Sequence, residues 1–358
     1  MAASIGSDAR DRFPVRAVDE LRATELLVAV LPGTSGGAGL LSEDRIADLR
    51  DVLVGVGRAS LVLGRIYEGH VNALTLILRY AEPAARQCLL DDARAGHLFG
   101  VWNTQSGADG LRGAGATADI TLTGAKTFAS GAGFVTRPLV TATMEDGRTR
   151  MVVPDLGEGE RADLSDWRVH GMRGSASGRV DFTGLRVRPD RWVGEPDDYF
   201  RQPVLSCGAW RFLAVQCGGI EAVFEAHRSH LLRTGRGDDP HQRARLGRSA
   251  TAVETARLFI AEAARAAARA ETDPEGSVAF VNLARGAVEQ AGLDVLHLAQ
   301  RSVGLAGYHE DHPLEPLMRD LATYLRQPAP DLALANAAGH LLSSPLPLHA
   351  VWPGDQSR

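Results

Sequence analysis

The most constraining feature of this sequence is a change of hydrophobic period near residue 98, which reverts about a hundred residues later. On both sides of that segment apolar residues recur every three or four positions, a spacing typical of amphipathic helices. Within it they alternate with polar residues, as at Ile120, Leu122, Val180 and Phe182, which is typical of strands with one buried face. We therefore predict three domains, a helical one at 1–97, a β domain at 98–197 and a helical one at 198–358.

Local signals in both parts support this division. In the β segment, Asp146-Gly147 separates two apolar runs, and Asp-Gly is favoured in the tight turn of a hairpin. In the last region, one stripe runs from Leu246 to Ala267 at helical spacing and is rich in alanine. Alanine allows helices to approach closely, within a chain or between subunits, so we expect an antiparallel helical bundle.

Composition excludes several functions. The chain has 358 residues with a formal net charge of −5 and no long basic block, so we expect no nucleic-acid partner. It has no apolar run of the roughly 18 to 20 residues that a membrane span requires, and no signal-peptide pattern. The three cysteines, Cys88, Cys207 and Cys217, include no Cys-x-x-Cys pair. A disulfide framework is not expected, and a reducing, cytoplasmic location fits.

Two runs in the β segment carry the most specific information. They are LFGVWNTQSGAD at 98–109 and LTGAKTFASGA at 122–132. They resemble the middle domain of the acyl-CoA dehydrogenase family, in which a Thr-Glu-Pro-x-x-Gly-Ser-Asp loop and a Lys-x-Trp-Ile-Thr strand wrap the flavin ring of FAD. A third match, GMRGS at 171–175, has the family's order and spacing. The resemblance implies an α+β fold: an N-terminal helical domain, a middle antiparallel β-barrel-like domain and a C-terminal antiparallel four-helix bundle.

The resemblance also implies a non-covalent FAD and its binding residues. In this chain Trp102, Asn103 and Thr104 replace Thr-Glu-Pro, and Phe128-Ala129-Ser130 replaces Trp-Ile-Thr. Glycine-rich stretches such as 107–115 are more often plain turns than phosphate sites. Through the resemblance alone, the backbone near the FAD pyrophosphate would be that of Gly107 and Ala108, the latter lacking the family's serine hydroxyl.

Two further matches lie in the helical region. Gln300 and Gly304, with Gly307 and Tyr308, resemble a turn that in the family reaches FAD bound to a neighbouring subunit. Arg233 lies one place from the position of the arginine that holds the pyrophosphate, and Arg236 is a second candidate. The neighbouring Phe-Gly of the family is absent. The resemblance implies a homodimer or a homotetramer.

The resemblance breaks at the catalytic base. In the family a glutamate removes the α-proton of the substrate while the flavin takes hydride from the β-carbon. Pro328, or Gln327 with a one-residue slip, stands at that place, and Trp210 stands where some relatives carry the base instead. Neither position is acidic. Asp331 is the nearest carboxylate in sequence, about one helical turn away.

A pair of histidines and one single histidine have simpler interpretations than a metal or substrate site. His309 and His312 flank Glu310-Asp311, but two histidines three positions apart bind zinc only with further ligands on a suitable scaffold. We expect an exposed loop and no metal. His70 is interpreted as a polar residue of a buried helix, with one wall of a substrate pocket as the alternative.

Three function classes remain. The first is a flavin dehydrogenase acting on an acyl thioester of CoA or a carrier protein, or on another small organic substrate. The second is a flavin monooxygenase or oxidase on the same fold, which needs no α-proton base because reduced flavin itself activates dioxygen. The third is a non-catalytic scaffold or partner subunit. An electron-transfer partner or flavin reductase would accompany either of the first two.

Overall fold

The computed structural model describes residues 11–115 and 119–352 of the chain. These residues form two compact units, each with its own core. The first contains the described parts of residues 1–41, 62–169 and 173–201, and the second those of residues 42–61, 170–172 and 202–358. The division into three domains at residues 97 and 197 stays a sequence prediction.

Helices dominate both ends of the chain, and strands dominate its middle. The α-helices are α1 (Val15–Ala23), α2 (Ile46–Ala59), α3 (Leu61–Tyr80), α4 (Pro83–Arg94), α5 (Val204–Cys207), α6 (Ala209–Arg233), α7 (Pro240–Ala268), α8 (Pro274–Val303), α9 (Leu314–Tyr324), α10 (Pro330–Ser343) and α11 (Leu348–Val351). The strands are β1 (Phe99–Trp102), β2 (Arg112–Ala114), β3 (Ile120–Thr123), β4 (Ala125–Ala129), β5 (Arg137–Met144), β6 (Thr149–Val152), β7 (Ala162–Asp163), β8 (Gly178–Asp181), β9 (Arg186–Val187) and β10 (Trp192–Val193). The α+β architecture predicted from the sequence is confirmed.

The strands of the first unit form two sheets. The larger has the order β10-β6-β5-β2-β3-β9 with β1 also on β5, and the smaller has the order β4-β8-β7. The predicted hairpin is present: β5 and β6 pair antiparallel, and Gly147 adopts a positive φ of 80°. However, β5 pairs in parallel with both β1 and β2. Parallel neighbours need a long crossover, which a prediction based on adjacent hairpins does not detect.

The second unit is the helical bundle. The long helices α7 and α8 pack along each other, α6 packs on both, α9 packs on α6, and α10 packs on α8. Both long helices begin with proline after an aspartate cap: Asp239 accepts from two backbone N–H groups at the start of α7, and Asp273 from one at α8. At Gly57 on α2 a Cβ atom would lie 2.2 Å from the carbonyl oxygen of Val215 on α6. Glycine therefore permits this close helix contact.

Within the described ranges, no helix combines the length and the apolarity that crossing a membrane requires.

Candidate functional site

Strand β4 contains an irregularity that turns neighbouring side chains to different environments. Its register against β8 shifts between Lys126 and Ala129, and Phe128 lies in the left-handed region with φ of 52°. As in other bulges, the extra residue re-aims the side chains around it. Lys126 is fully buried, whereas Phe128 is 64% exposed. The exposed ring lies edge-on to Trp167, with 6.4 Å between centroids.

The buried ammonium group of Lys126 holds the loop that follows β1. Its Nζ donates to the carbonyl oxygen of Asn103 at 3.0 Å, to Oε1 of Gln105 at 2.7 Å and to Oγ1 of Thr141 at 2.9 Å. An ammonium group has three donors, so all are used. Burial lowers the pKa of Lys126 to about 8. Sequence reasoning did not select this residue, although two signals were present. Lys126 is the only lysine among 39 lysines and arginines, and it matches the lysine of the family's Lys-x-Trp-Ile-Thr strand.

The residues at the family's Thr-Glu-Pro positions lie beside β4. Trp102 is buried, its Nε1 donates to the carbonyl oxygen of Ser130 at 2.9 Å, and its ring lies 6.3 Å from that of Phe182. Oδ1 of Asn103 accepts from the hydroxyl of Thr141 at 2.7 Å, and the exposed Thr104 joins β4 through its backbone. Trp102 and Asn103 thus support the loop from inside the unit.

Ser130 is at the centre of a polar network. Its hydroxyl lies 3.1 Å from Nε of Arg65 on α3 and 2.8 Å from the hydroxyl of Ser177. Ser177 in turn lies 2.8 Å from Oγ of the buried Ser175. Ser130 itself is half-buried. The structure therefore brings one sequence-predicted residue together with three that sequence reasoning did not select.

The glycine-rich stretch lines an open groove in the first unit. The groove has a volume of about 520 Å³, and its walls include Gln105, Gly107, Gly110, Arg112 and Glu145. Gly107 has a positive φ of 43° within a short 3-10 turn that also contains Ala108. Arg112 is exposed at the groove and carries positive charge.

His70 is a core residue of the first unit. Its Nδ1 accepts from the backbone N–H of Phe99 at 3.0 Å, so Nε2 carries the proton and donates to the carbonyl oxygen of Leu27 at 2.6 Å. Burial lowers the pKa of His70 to about 4. Both ring nitrogens are used, which supports the interpretation of His70 as a structural residue.

In the second unit, both positions expected for the catalytic base are occupied by groups with structural contacts. Trp210 is buried in the first turn of α6, with the guanidinium of Arg211 5.8 Å from its ring centre. After α9, the side-chain amide of Gln327 donates to the carbonyl oxygen of Tyr324 at 2.8 Å. The carbonyl oxygen of Pro328 accepts from Arg285.

Asp331, the nearest carboxylate in sequence, is exposed in the first turn of α10. Ala329, two residues before Asp331, has a positive φ of 51°. The segment 324–330 itself contains no acid.

The remaining predicted residues lie near the end of α8. Gly304 has a φ of 72° and its N–H bonds the carbonyl oxygen of Gln300, which is half-buried. Arg236 donates to the carbonyl oxygen of Ser302 at 3.3 Å. Arg233, the last residue of α6, is exposed. Arg236 is therefore the arginine that the structure joins to the Gln300 turn.

A histidine cluster in the second unit had no sequence signal. Nδ1 of His230 lies 3.2 Å from Nε2 of His312, which is 82 residues away. His227, one turn before His230, is fully buried, and neither ring nitrogen has a hydrogen-bond partner among the described residues. Burial, followed by the charges of His230 and Arg245, lowers the pKa of His227 to about 4. In the part of the chain that the structure describes, no cluster of three or more His, Cys, Asp or Glu could hold a metal.

Comparison with known proteins gives consistent matches. Residues 202–325 match the family model described as acyl-CoA dehydrogenase, C-terminal domain. The probable acyl-CoA dehydrogenase FadE25 of Mycobacterium tuberculosis is 26% identical over 340 residues, covering 87% of this chain and 83% of that protein. The amino sugar nitrososynthase DnmZ of Streptomyces peucetius is 28% identical over 353 residues, covering 89% and 84%.

Among solved structures, FMN-bound TdsC from Paenibacillus sp. A11-2, a dibenzothiophene monooxygenase, superposes with a TM-score of 0.84 at 19% identity. The superposition covers 97% of this chain and 95% of TdsC. At that identity the likeness concerns the fold.

Proposed function

We propose that this chain is a divergent member of the acyl-CoA dehydrogenase family of flavin-dependent oxidoreductases, and that it acts as a monooxygenase on a small organic substrate. The observation that carries the proposal is that non-acidic residues with structural contacts occupy both positions expected for the catalytic base. Trp210 is a buried core residue, and the Gln327-Pro328 segment is held by hydrogen bonds from Gln327 and Arg285. Neither position presents a carboxylate.

The missing base weighs against thioester dehydrogenation. An α-proton of a thioester is a weak acid, and a positioned general base contributes about 10²- to 10⁴-fold to its removal. Monooxygenation does not require that step. The chemistry that a bound flavin supplies is electron transfer from a reductant and activation of dioxygen. The relatives that carry oxygenase or nitrososynthase names, TdsC and DnmZ, support this choice.

The polar and aromatic groups of the first unit fit a flavin. Ser130 offers a half-buried hydroxyl beside the exposed ring of Phe128. The groove that Gly107 and Arg112 line offers the positive charge of Arg112 for a phosphate, with Glu145 also in its wall. We propose FAD as the nucleotide, which is the form that the sequence resemblance implies, whereas the TdsC structure contains FMN.

We also propose a homo-oligomer, a reductase partner and a cytoplasmic location. In the second unit Leu305 is 80% exposed and Tyr308 54% exposed, both in the turn after α8. Large apolar side chains in one exposed turn are typical of an interface. All three cysteines are free thiols, which fits a reducing compartment. Sedimentation of the FAD-loaded protein as a 38.2-kDa monomer would contradict the oligomer.

The test is anaerobic reduction of the protein loaded with FAD, repeated with FMN. We expect NADH with a flavin reductase to bleach the flavin band, and short-, medium- and branched-chain acyl-CoAs to leave it unchanged. Oxygen uptake should follow when air is admitted to the reduced protein. Rapid bleaching by an acyl-CoA would mean a dehydrogenase with a relocated base. Failure to bind either nucleotide at micromolar concentration would mean a scaffold.

A further inference from the structure

Three serine hydroxyls in the first unit form a chain that ends at the proposed cofactor surface. The Oγ atoms of Ser175 and Ser177 are 2.8 Å apart, and those of Ser177 and Ser130 are also 2.8 Å apart. Geometry alone allows either hydroxyl of each pair to be the donor. The direction of donation along the chain follows from the burial of Ser175 and from the single proton that each serine hydroxyl can donate.

Ser175 fixes the direction of the first hydrogen bond in this series of hydroxyls. It is 1% exposed, so bulk water does not reach its hydroxyl. Ser177 is the only acceptor that the described residues offer to that hydroxyl. A buried donor left without an acceptor is costly, because it has given up its hydrogen bonds to water and gained none in return. The proton of Ser175 is therefore directed to Ser177, and the single proton of Ser177 is left to donate to Ser130.

Ser130 receives two hydrogen bonds. One comes from Ser177, and the other comes from Nε of Arg65, which can only donate. A serine oxygen accepts two bonds and donates one. Its own O–H then has no acceptor among the described residues. Because Ser130 is half-buried, that O–H points to the open side of the site.

The position of Arg65 is itself fixed. Its Nη1 pairs with the carboxylate of Glu68, one turn later on α3, which is 1% exposed. The second oxygen of that carboxylate accepts from the side-chain amide of Asn72. A charge-assisted pair anchored by a buried carboxylate keeps the guanidinium in one place. Nε of Arg65 is thus held against Ser130.

We propose that Ser175, Ser177 and Arg65 are positioning residues that fix the Ser130 hydroxyl as a hydrogen-bond donor to the bound ligand. The ligand class is a planar heteroaromatic ring with an acceptor atom, a ring nitrogen or a carbonyl oxygen, as in oxidised flavin. The positive charge of Arg65 beside the same hydroxyl would adjust the electronic properties of such a ring. Identification of the ring as flavin depends on the function proposed above, whereas the direction of the hydroxyl chain does not.

Neutron diffraction on deuterated crystals of the full chain tests the direction without any ligand. We expect the deuterium of Ser175 on the line to Ser177, that of Ser177 on the line to Ser130, and that of Ser130 directed outwards. A deuterium of Ser130 on the line to Ser177 would overturn the inference.

A double-mutant cycle tests the role toward the cofactor, with FAD affinity measured by fluorescence and the visible flavin band recorded for each variant. We expect Ser130→Ala to weaken FAD binding roughly tenfold, the loss of about one hydrogen bond. Ser177→Ala should weaken it about threefold and shift the band in the presence of Ser130, and should have no effect in the Ser130→Ala background. Ser177→Thr, which keeps the hydroxyl, should restore both readouts.

The matched control is Thr75→Val, which removes a hydroxyl of α3 that, among the described residues, bonds only the carbonyl oxygen of Val71 in its own helix. It should leave FAD affinity and the flavin band unchanged. Additive effects of the two serine variants would overturn the positioning role while leaving the proposed function intact. A wild-type protein that binds no flavin would overturn the proposed function, and the neutron result would still decide the direction of the chain.

Discussion

Lys126 in the β unit and His227 in the helical bundle are both fully buried basic side chains, yet their surroundings are opposite. Lys126 donates to three oxygen acceptors at 2.7 to 3.0 Å. His227 has no hydrogen-bond partner among the described residues, and burial, followed by the charges of His230 and Arg245, lowers its pKa. Burial lowers the pKa of both groups, to about 8 and about 4.

The difference separates a buried polar group with all its hydrogen bonds made from a buried polar group that makes none among the described residues. A buried group with all its partners fixes the elements that carry those partners, here β4, β5 and the loop after β1. A buried group without partners fixes nothing and costs stability. We therefore assign the organisation of the candidate site to Lys126 and give His227 no role in it.

Lys126→Met should have the largest effect. Methionine fills a similar volume but leaves the carbonyl oxygen of Asn103 and Oγ1 of Thr141 without this donor, whereas Oε1 of the exposed Gln105 keeps the backbone N–H of Leu111. At about 1 to 3 kcal/mol for each unsatisfied group, we expect the free energy of unfolding to fall by roughly 4 kcal/mol. Urea denaturation would measure it. A loss below 1 kcal/mol would show that this ammonium group does not organise the loop.

Acidification should have the next largest effect. The folded-state pKa of His227 lies below the ordinary 6.5, so between pH 6.5 and 4 the unfolded chain binds a proton that the folded chain does not. Stability should therefore fall as the pH is lowered through that window, with His70 contributing in the same direction. His227→Phe should reduce the loss at pH 4.5 by on the order of 2 kcal/mol. Identical pH profiles for the two proteins would contradict the assigned burial.

At neutral pH the same His227→Phe variant should have a small effect of the opposite sign to that of Lys126→Met. Removing a buried polar ring that has no hydrogen-bond partner among the described residues relieves its desolvation cost, so stability should be unchanged or rise by about 1 kcal/mol. Thermal unfolding at pH 7.5 would measure it. A destabilisation of 2 kcal/mol or more would mean that the ring has a partner in the assembled protein.

The smallest effect is expected for Asp331→Asn. Asp331 is exposed in the first turn of α10, so its carboxylate has no fixed position from which to act as a base. Oxygen uptake by the reduced, FAD-loaded protein should change less than twofold. A fall of 10²-fold or more, in the range of general-base catalysis, would identify it as the relocated base.

Several features were predictable because their signals are local. The Asp146-Gly147 sequence and the apolar runs on either side of it predicted the turn and the β5–β6 pairing, and the structure confirms both. The ordered runs at 98–109 and 122–132 led to the family, which the comparisons support. Trp102 was predicted at the flavin-facing loop, and the structure places its ring in the core against Phe182. A strand pattern gives the alternation of side chains but not the irregularity in β4 that re-aims them.

The sequence by itself determined the helical stripes, the β segment and the absence of an acid at both base positions, since each follows from residue type and spacing, and its motifs carried the resemblance to the family. Only the tertiary structure decided which buried polar groups are satisfied and which groups surround the Ser130 hydroxyl. Arg65 and Ser177 lie 65 and 47 residues from Ser130 in the chain. The reason is physical: a hydrogen bond depends on distance and angle in space, and no local pattern of residues encodes a partner so far away.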